Sequence, residues 1–157
     1  MRRFGVIASL VLLLLAAVGV AVSRFSLTAL EEPGLAETYV ATKAKRLFVA
    51  RDSRTGVPLE PASTPASMAA GEKLYGAECA MCDGLNGRTP TDAGRWMYPR
   101  AADLTSEQVQ QYSDRELFWI VKNGIRLSGM PAFGRVETDE HTWQLVQYVR
   151  TLRRVGT

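Results

Sequence analysis

Two cysteines stand three residues apart in "ECAMCDGLNG", residues 78–87, and the chain has no others. Cys79 and Cys82 therefore fall on one helical turn, a spacing that suits several kinds of chemistry. They can close a local disulfide or exchange one with a partner. With Asp83 and His141, the single histidine, they supply four donors for zinc, although His141 lies too far along the chain for ligand spacing. A C-x-x-C followed directly by histidine attaches c-type haem, and here the residue that follows is Asp83. A second sulfur donor stands at Met130 in "SGMPAFG". An isolated methionine is usually core filler, but one set between Gly129 and Pro131 in a loop, with Phe133 close behind, reads as a ligand.

The elements that must position these groups are short helices. In "SMAAGEKLYGAECAMC", Leu74, Tyr75 and Cys79 take neighbouring helical positions, with Gly71 four residues before Tyr75 on the same face. A glycine on that face lets another helix approach closely. Thr105-x-x-Gln108 and Ser113-x-x-Glu116 both have the pattern of a capping box. The second opens "DRELFWIVKN", which places Leu117, Ile120 and Val121 on one face and ends naturally at Gly124. A last helix is expected from about Thr138, with Asp139 and Glu140 complementing its dipole. It carries Leu145, Tyr148, Val149 and Leu152 on one stripe, and His141 in its first turn reads as an exposed or capping residue. Trp96, Trp119 and Trp143 are expected to pack. Residues 84–103 and 125–137 are rich in glycine, proline and arginine and show no periodicity.

No βαβ pattern surrounds the cysteines, which weakens the thiol-exchange reading. A small, thin helical core often needs a metal or other staple. Long loops in a compact domain also need something to wrap around. A large prosthetic group would meet both needs.

Upstream, Met1-Arg2-Arg3 precedes 19 uncharged residues, Phe4 to Val22. About 20 apolar residues cross a bilayer core, whereas the apolar region of a cleaved signal runs about 7 to 15. Residues 1–23 therefore read as an N-terminal membrane anchor or a signal, with "AVS" at 21–23 as the place where cleavage would fall. Arg2 and Arg3 would stay in the cytoplasm, leaving the rest outside it, in the periplasm of a Gram-negative cell. That compartment is oxidising, so a cysteine pair there is a disulfide or is bonded to something. Residues 24–66 read as a juxtamembrane segment and Pro-rich linker. "LAETYVATKAKRLFVA" within it suits a short helix. Prolines 58, 61 and 65 favour an extended tether on which a domain at 67–157 stands off the membrane.

The net charge of +3 does not point to nucleic acid. Residues 1–68 hold eight basic and five acidic side chains, and residues 69–157 hold eleven of each. The folded part is thus neutral. Lys43, Lys45, Arg46, Arg51 and Arg54 read as a solvated face, with lipid head groups as the alternative.

Four stretches combine into one pattern: "GEKLYGAECAMCDGLNG" (71–87), "YPRAADL" (98–104), "NGIRLSGMPAFG" (123–134) and "TWQLVQYVRTL" (142–152). On these residues the chain resembles the single-haem class I cytochromes c, in particular the bacterial ones carried on an N-terminal membrane anchor. The resemblance covers most of residues 67–157. It implies an all-α fold, a class I cytochrome c-like helical domain with long haem-wrapping loops behind an N-terminal transmembrane helix. It implies an electron carrier rather than an enzyme, working through redox partner proteins that dock transiently over small interfaces. One haem c would be held covalently by Cys79 and Cys82, with Met130 as axial iron ligand and Pro99 near the proximal side. Gly71 and Tyr75 would meet Leu145 and Tyr148 where the first and last helices cross. One of Arg88, Arg95 and Arg100 could pair with a propionate, and Trp96, if it does not pack, could lie near a haem edge or propionate.

The family's proximal ligand is the histidine directly after the second cysteine, where this chain has Asp83. Imidazole bonds both iron oxidation states, and methionine favours the reduced one. A carboxylate is hard and favours Fe(III). Aspartate is also shorter than histidine, and in the family the attachment machinery reads the cysteines together with that histidine. The expectation is a membrane-tethered periplasmic electron carrier whose haem loading or ligation is impaired by Asp83. The alternatives are a haem-free interaction or scaffold module of the same fold and a C-x-x-C thiol–disulfide protein.

Overall fold

A computed structural model describes residues 2–24, 26 and 28–153, and among these there is no strand. Helix α1 (Arg2–Arg24) contains the apolar run. Its span Phe4–Arg24 has a mean hydropathy of 2.8, buries nothing against the rest of the chain, and is long and apolar enough to cross a membrane. Helix α2 (Leu35–Asp52) is longer than the short helix expected there.

Helix α3 (Pro65–Leu74) starts at the last proline of the linker, which suits the first turn because its missing N–H has no intrahelical partner there. Thr64 and Ser67 form a reciprocal capping box just before it. The helix runs on through one π turn (Tyr75–Cys79) into α4 (Ala80–Asp83) and stops at Gly84, whose φ of 75° favours glycine. Single π turns inserted in helices are frequent at functional sites.

Helices α5 (Asp92–Arg95), α6 (Glu107–Gln110), α7 (Asp114–Asn123) and α8 (Asp139–Leu152) follow, with a 3-10 turn at Phe133–Arg135 between the last two. The Ser113–Glu116 capping box, the Gly124 stop and the Thr138 cap are all where the sequence places them. The other expected box is displaced by one residue. Asp103 accepts both the N–H and the hydroxyl of Thr105, so Ser106 becomes the cap of α6.

Helix α8 is the common wall of two cores. One side of it, Trp143 and Val146, packs with Val49, Tyr112, Leu117 and Phe118. The other, Leu145, Val149 and Leu152, packs with Tyr75 and Ala80. Gly71 permits the α3–α8 crossing, since a Cβ there would strike the Gln144 carbonyl. The Tyr75 and Tyr148 rings lie 5.2 Å apart at the same crossing, as the resemblance implies. Trp143 stacks on Phe118 at 4.6 Å. Trp96, expected to pack, is instead 76% exposed. It follows a four-residue helix whose one buried residue is Gly94, too short to offer a face.

Residues 57–64 form neither helix nor strand, in keeping with their prolines, yet they are not a free tether. The Gln147 amide donates to the Pro61 carbonyl at 3.0 Å, and Val57 packs against the first core. Upstream, Val49 of α2 is itself a core residue, 2% exposed. A mixed-polarity helix needs only one such insertion to dock, which is why composition alone reads as a linker.

Candidate functional site

Cys79, Cys82 and Asp83 lie at the end of the continuous helical stretch that begins at Pro65. The Tyr75 hydroxyl, buried under the π turn, donates to the Gly84 carbonyl at 2.7 Å and ties the start of the turn to its exit. Cys79 packs at the edge of the second core. Cys82 is held through its backbone: the Thr91 N–H donates to its carbonyl at 3.0 Å, and the Thr91 hydroxyl donates to the Met81 carbonyl at 2.5 Å. Gly94 rests on the same Cys82 carbonyl, with no room for a side chain. Gly84 is backed in the same way by the Thr89 carbonyl. The turn is thus clamped by the loop that follows it.

Both thiols are free. Burial pushes the Cys79 thiol up to about 12, helped by the charges of Asp83, Glu78 and Cys82. Burial, then the Asp83 charge, also raises Cys82. Thiol exchange calls for the reverse, a thiol lowered by positive surroundings. Burial likewise lifts the Asp83 carboxyl to about 6, and among the described residues nothing donates a hydrogen bond to it.

This carboxyl sets a pH dependence. The unfolded chain releases the proton near the ordinary value of 3.8 while the folded chain keeps it to about 6. The folded state is therefore favoured below that window and loses stability as pH rises through it. A shift of that size corresponds to about 3 kcal/mol at most, and partial solvent contact reduces it to about 1–2. Asp83→Asn should match the native chain in thermal unfolding at pH 4 and exceed it in stability by that amount at pH 7.5. A difference that does not change with pH would refute the assignment.

Met130 is also positioned through its backbone. Gly124, at φ 66°, lies against the Met130 and Pro131 carbonyls, and the Ile125 N–H donates to the Met130 carbonyl at 3.3 Å. The Ser128 hydroxyl donates to the Ile125 carbonyl at 2.7 Å and accepts from the Met130 N–H at 3.2 Å. Leu127 crowns this loop at φ 61° and is 91% exposed. The thioether of Met97 packs against Gly129. Residues 94–97 therefore join the two parts of the site, touching the Cys82 carbonyl at one end and the neighbour of Met130 at the other. Pro99 lies two residues further on and is exposed.

His141 stays away from the cysteines. Its Nδ1 is 2.6 Å from Glu137 Oε2 in the first turn of α8, the capping region the sequence assigns it. Among the described residues, no three of His, Cys, Asp and Glu converge as a metal site, so the four-donor zinc set is not assembled. Arg95 pairs with Asp92, and Arg100 with Glu32 at 2.5 Å. Arg88 donates to Thr105 Oγ1 at 3.3 Å.

Sequence reading missed Thr91, Gly94, Met97 and Ser128. The Thr91-Asp92 pair carries a helix-start signal, and the structure shows Thr91 capping α5. Gly94 and Met97 act through contacts distant in sequence and leave no local mark, whereas Ser128 acts on Ile125 and Met130 within its own loop.

A model of the family described as cytochrome c oxidase, cbb3-type, subunit III, matches residues 66–149. The chain belongs to this family. Its membership in the cbb3-type subunit III family makes the all-helical unit a cytochrome c-type domain, for which an electron-carrier role and a covalently bound haem c are implied. No curated protein matches the chain. Among solved structures it is similar to the Kuenenia stuttgartiensis reducing HAO-like protein complex Kustc0457/Kustc0458, at 24% identity and a TM-score of 0.57. That match covers 62% of this chain and 49% of the other, so the chain spans about half the length of its neighbour, and the likeness is one of fold.

Proposed function

We propose that this protein is a membrane-tethered, extracytoplasmic single-haem electron carrier whose haem loading or ligation is impaired by Asp83. The observation that carries the reading is the clamped turn 79–83. It presents two neutral thiols three residues apart and then a carboxyl, in a family whose domain implies haem c.

The residues fit the group at two places and not at a third. Cys79 and Cys82 fit covalent attachment, because thiols three apart on a helical turn can reach both vinyl groups on one porphyrin edge. Met130 would hold the iron as a soft sulfur donor, its backbone fixed by Gly124 and Ser128. Asp83 does not fit the place of the missing histidine, since a carboxylate is a hard donor and a poor ligand for Fe(II), and burial without a hydrogen-bond donor works against its charged form. Haem, when bound, supplies reversible one-electron exchange. The chain's own part is to hold and orient: Thr91 and Gly94 fix the cysteine turn, Ser128 fixes the methionine loop, and Pro99 lies in the loop joining that region to the rest of the domain.

Three parts follow along the chain: an anchor at 1–23, a juxtamembrane segment at 24–66 and the cytochrome domain at 67–157. The start of the family match at residue 66 and the apolar α1 support this division. Exposed Met81, between the cysteines, and exposed Leu127, on the methionine loop, offer apolar contacts for a briefly docked redox partner.

The reading is tested on the full chain, produced in cells that mature c-type cytochromes. Absorbance and a pyridine haemochrome assay should find covalent haem at well below one per chain. Full loading with a stable methionine-ligated, low-spin spectrum would overturn the impairment. Labelling of Cys79 or Cys82 as a fast-reacting thiolate at pH 7 would instead favour the thiol–disulfide reading.

A further inference from the structure

We propose that residues 32–64 form a strap that holds the cytochrome domain close to the bilayer with its methionine-loop side nearest the membrane. The strap rests on the tether reading given above for α1. It lies ahead of the family match, which begins at residue 66, yet it is fastened to the matched domain along its whole length. Near the membrane, Glu32 pairs with Arg100 at 2.5 Å and Glu37 Oε1 accepts from the Tyr98 hydroxyl at 2.6 Å. In the middle, the Arg46 guanidinium stacks 4.7 Å above the Tyr112 ring and donates to the Gln108 carbonyl at 2.8 Å. Val49 fills the core beside Phe118 and Trp143. Beyond α2, Arg115 donates to the Ser53 carbonyl at 3.3 Å and Gln147 to the Pro61 carbonyl.

These contacts differ in weight. Both members of the Glu32–Arg100 pair are more than half exposed, so that pair sets register and adds little to docking. Burial of Val49 and the stacking of Arg46 on an aromatic face carry the attachment. An isolated helix of the length of α2 is marginal in water, so its order depends on this packing.

The consequence is a change of reach. Glu32 lies eight positions beyond Arg24, the end of α1, which keeps Arg100 within about 30 Å of the end of the span. A free segment to residue 66, even with α2 formed, would extend about 100 Å. Arg100 and Tyr98 belong to the loop that begins at Trp96–Met97, and Met97 touches Gly129 beside Met130. The methionine loop is therefore on the tethered side, and only partners held near the same membrane surface can reach it.

The test uses the full chain in lipid nanodiscs, with hydrogen exchange read by mass spectrometry. Residues 42–52 should be protected to the same degree as α7. Val49→Asp should raise their exchange at least tenfold while α3 and α8 stay protected. Arg46→Ala, which removes no core residue, should raise it by a smaller factor and keeps the test valid if Val49→Asp unfolds the domain. Energy transfer from tryptophan to dansyl-labelled lipid head groups should be strong in the native chain, through exposed Trp96, and should fall in both variants. Unprotected α2 in the native chain, or energy transfer unchanged on release of α2, would sink the strap. Flotation with vesicles separates the two readings. A chain that floats with α2 unprotected loses the strap alone, and a chain that does not float loses the tether and with it the pose at the membrane.

Discussion

Asp83→His should yield a chain that carries covalent haem close to one per molecule, well above the native sequence under the same maturation conditions. The backbone around both sulfur-bearing segments is already fixed. The two thiols share a turn, Thr91 and Gly94 hold the Cys82 carbonyl, and Ser128 holds the Met130 N–H. The substitution replaces a hard, partly buried acid with a borderline nitrogen donor that suits both iron oxidation states. It also removes a carboxyl that burial holds protonated to about pH 6. Asp83→Asn removes the same charge without adding a nitrogen ligand and should leave haem content unchanged, which separates ligation from charge relief. Adding Met130→Ala to Asp83→His should preserve covalent haem but abolish the methionine-to-iron charge-transfer band. If Asp83→His gains no haem where other c-type cytochromes mature normally, the electron-carrier reading fails. The haem-free interaction module then stands.

The legible parts of this fold are those written in local periodicity. The stripe Leu145, Tyr148, Val149, Leu152 and the Gly71–Tyr75 face are read from spacing, the resemblance implies that they meet, and both cores are built on α8. Ser113-x-x-Glu116 marks the start of α7 because the box is closed by residues three apart. The failures share a different origin. Thr105 looked like a cap, but Asp103 competes for both its polar groups, so Ser106 took the role. Phe118 is fully buried in the run "LFWIV", where several apolar residues in a row hide which one faces inward. Helix α2 carries no continuous apolar stripe, and one valine with one arginine docks it. The cysteine turn and the methionine loop were visible as motifs. The segment 94–97 that joins them was not, because a glycine against a carbonyl and a methionine against a glycine can be known only from the folded chain.

Gly71→Val is expected to be the most destructive change outside the cysteine turn, lowering stability by at least about 3 kcal/mol. A Cβ at Gly71 would overlap the Gln144 carbonyl, which belongs to the backbone of α8 and cannot rotate away. The only relief is to separate α3 from α8, and that opens the second core around Tyr75, Leu145 and Val149. Small domains have about 5–15 kcal/mol in total, and each kcal/mol moves the midpoint by roughly 4–8 °C at this size. Thermal unfolding followed by far-UV circular dichroism should therefore show a drop of roughly 12 °C or more. Gly76→Ala is the matched control five residues on, in the same helical stretch, with nothing within 4 Å of the added carbon. It should raise stability by about 0.5–1 kcal/mol through lower backbone entropy in the unfolded chain. Opposite signs at the two glycines would show that Gly71 is there for the close approach of α8 and not for backbone freedom. Equal small losses at both would mean that the helices do not cross at Gly71, and the clamp on the cysteine turn would lose its foundation.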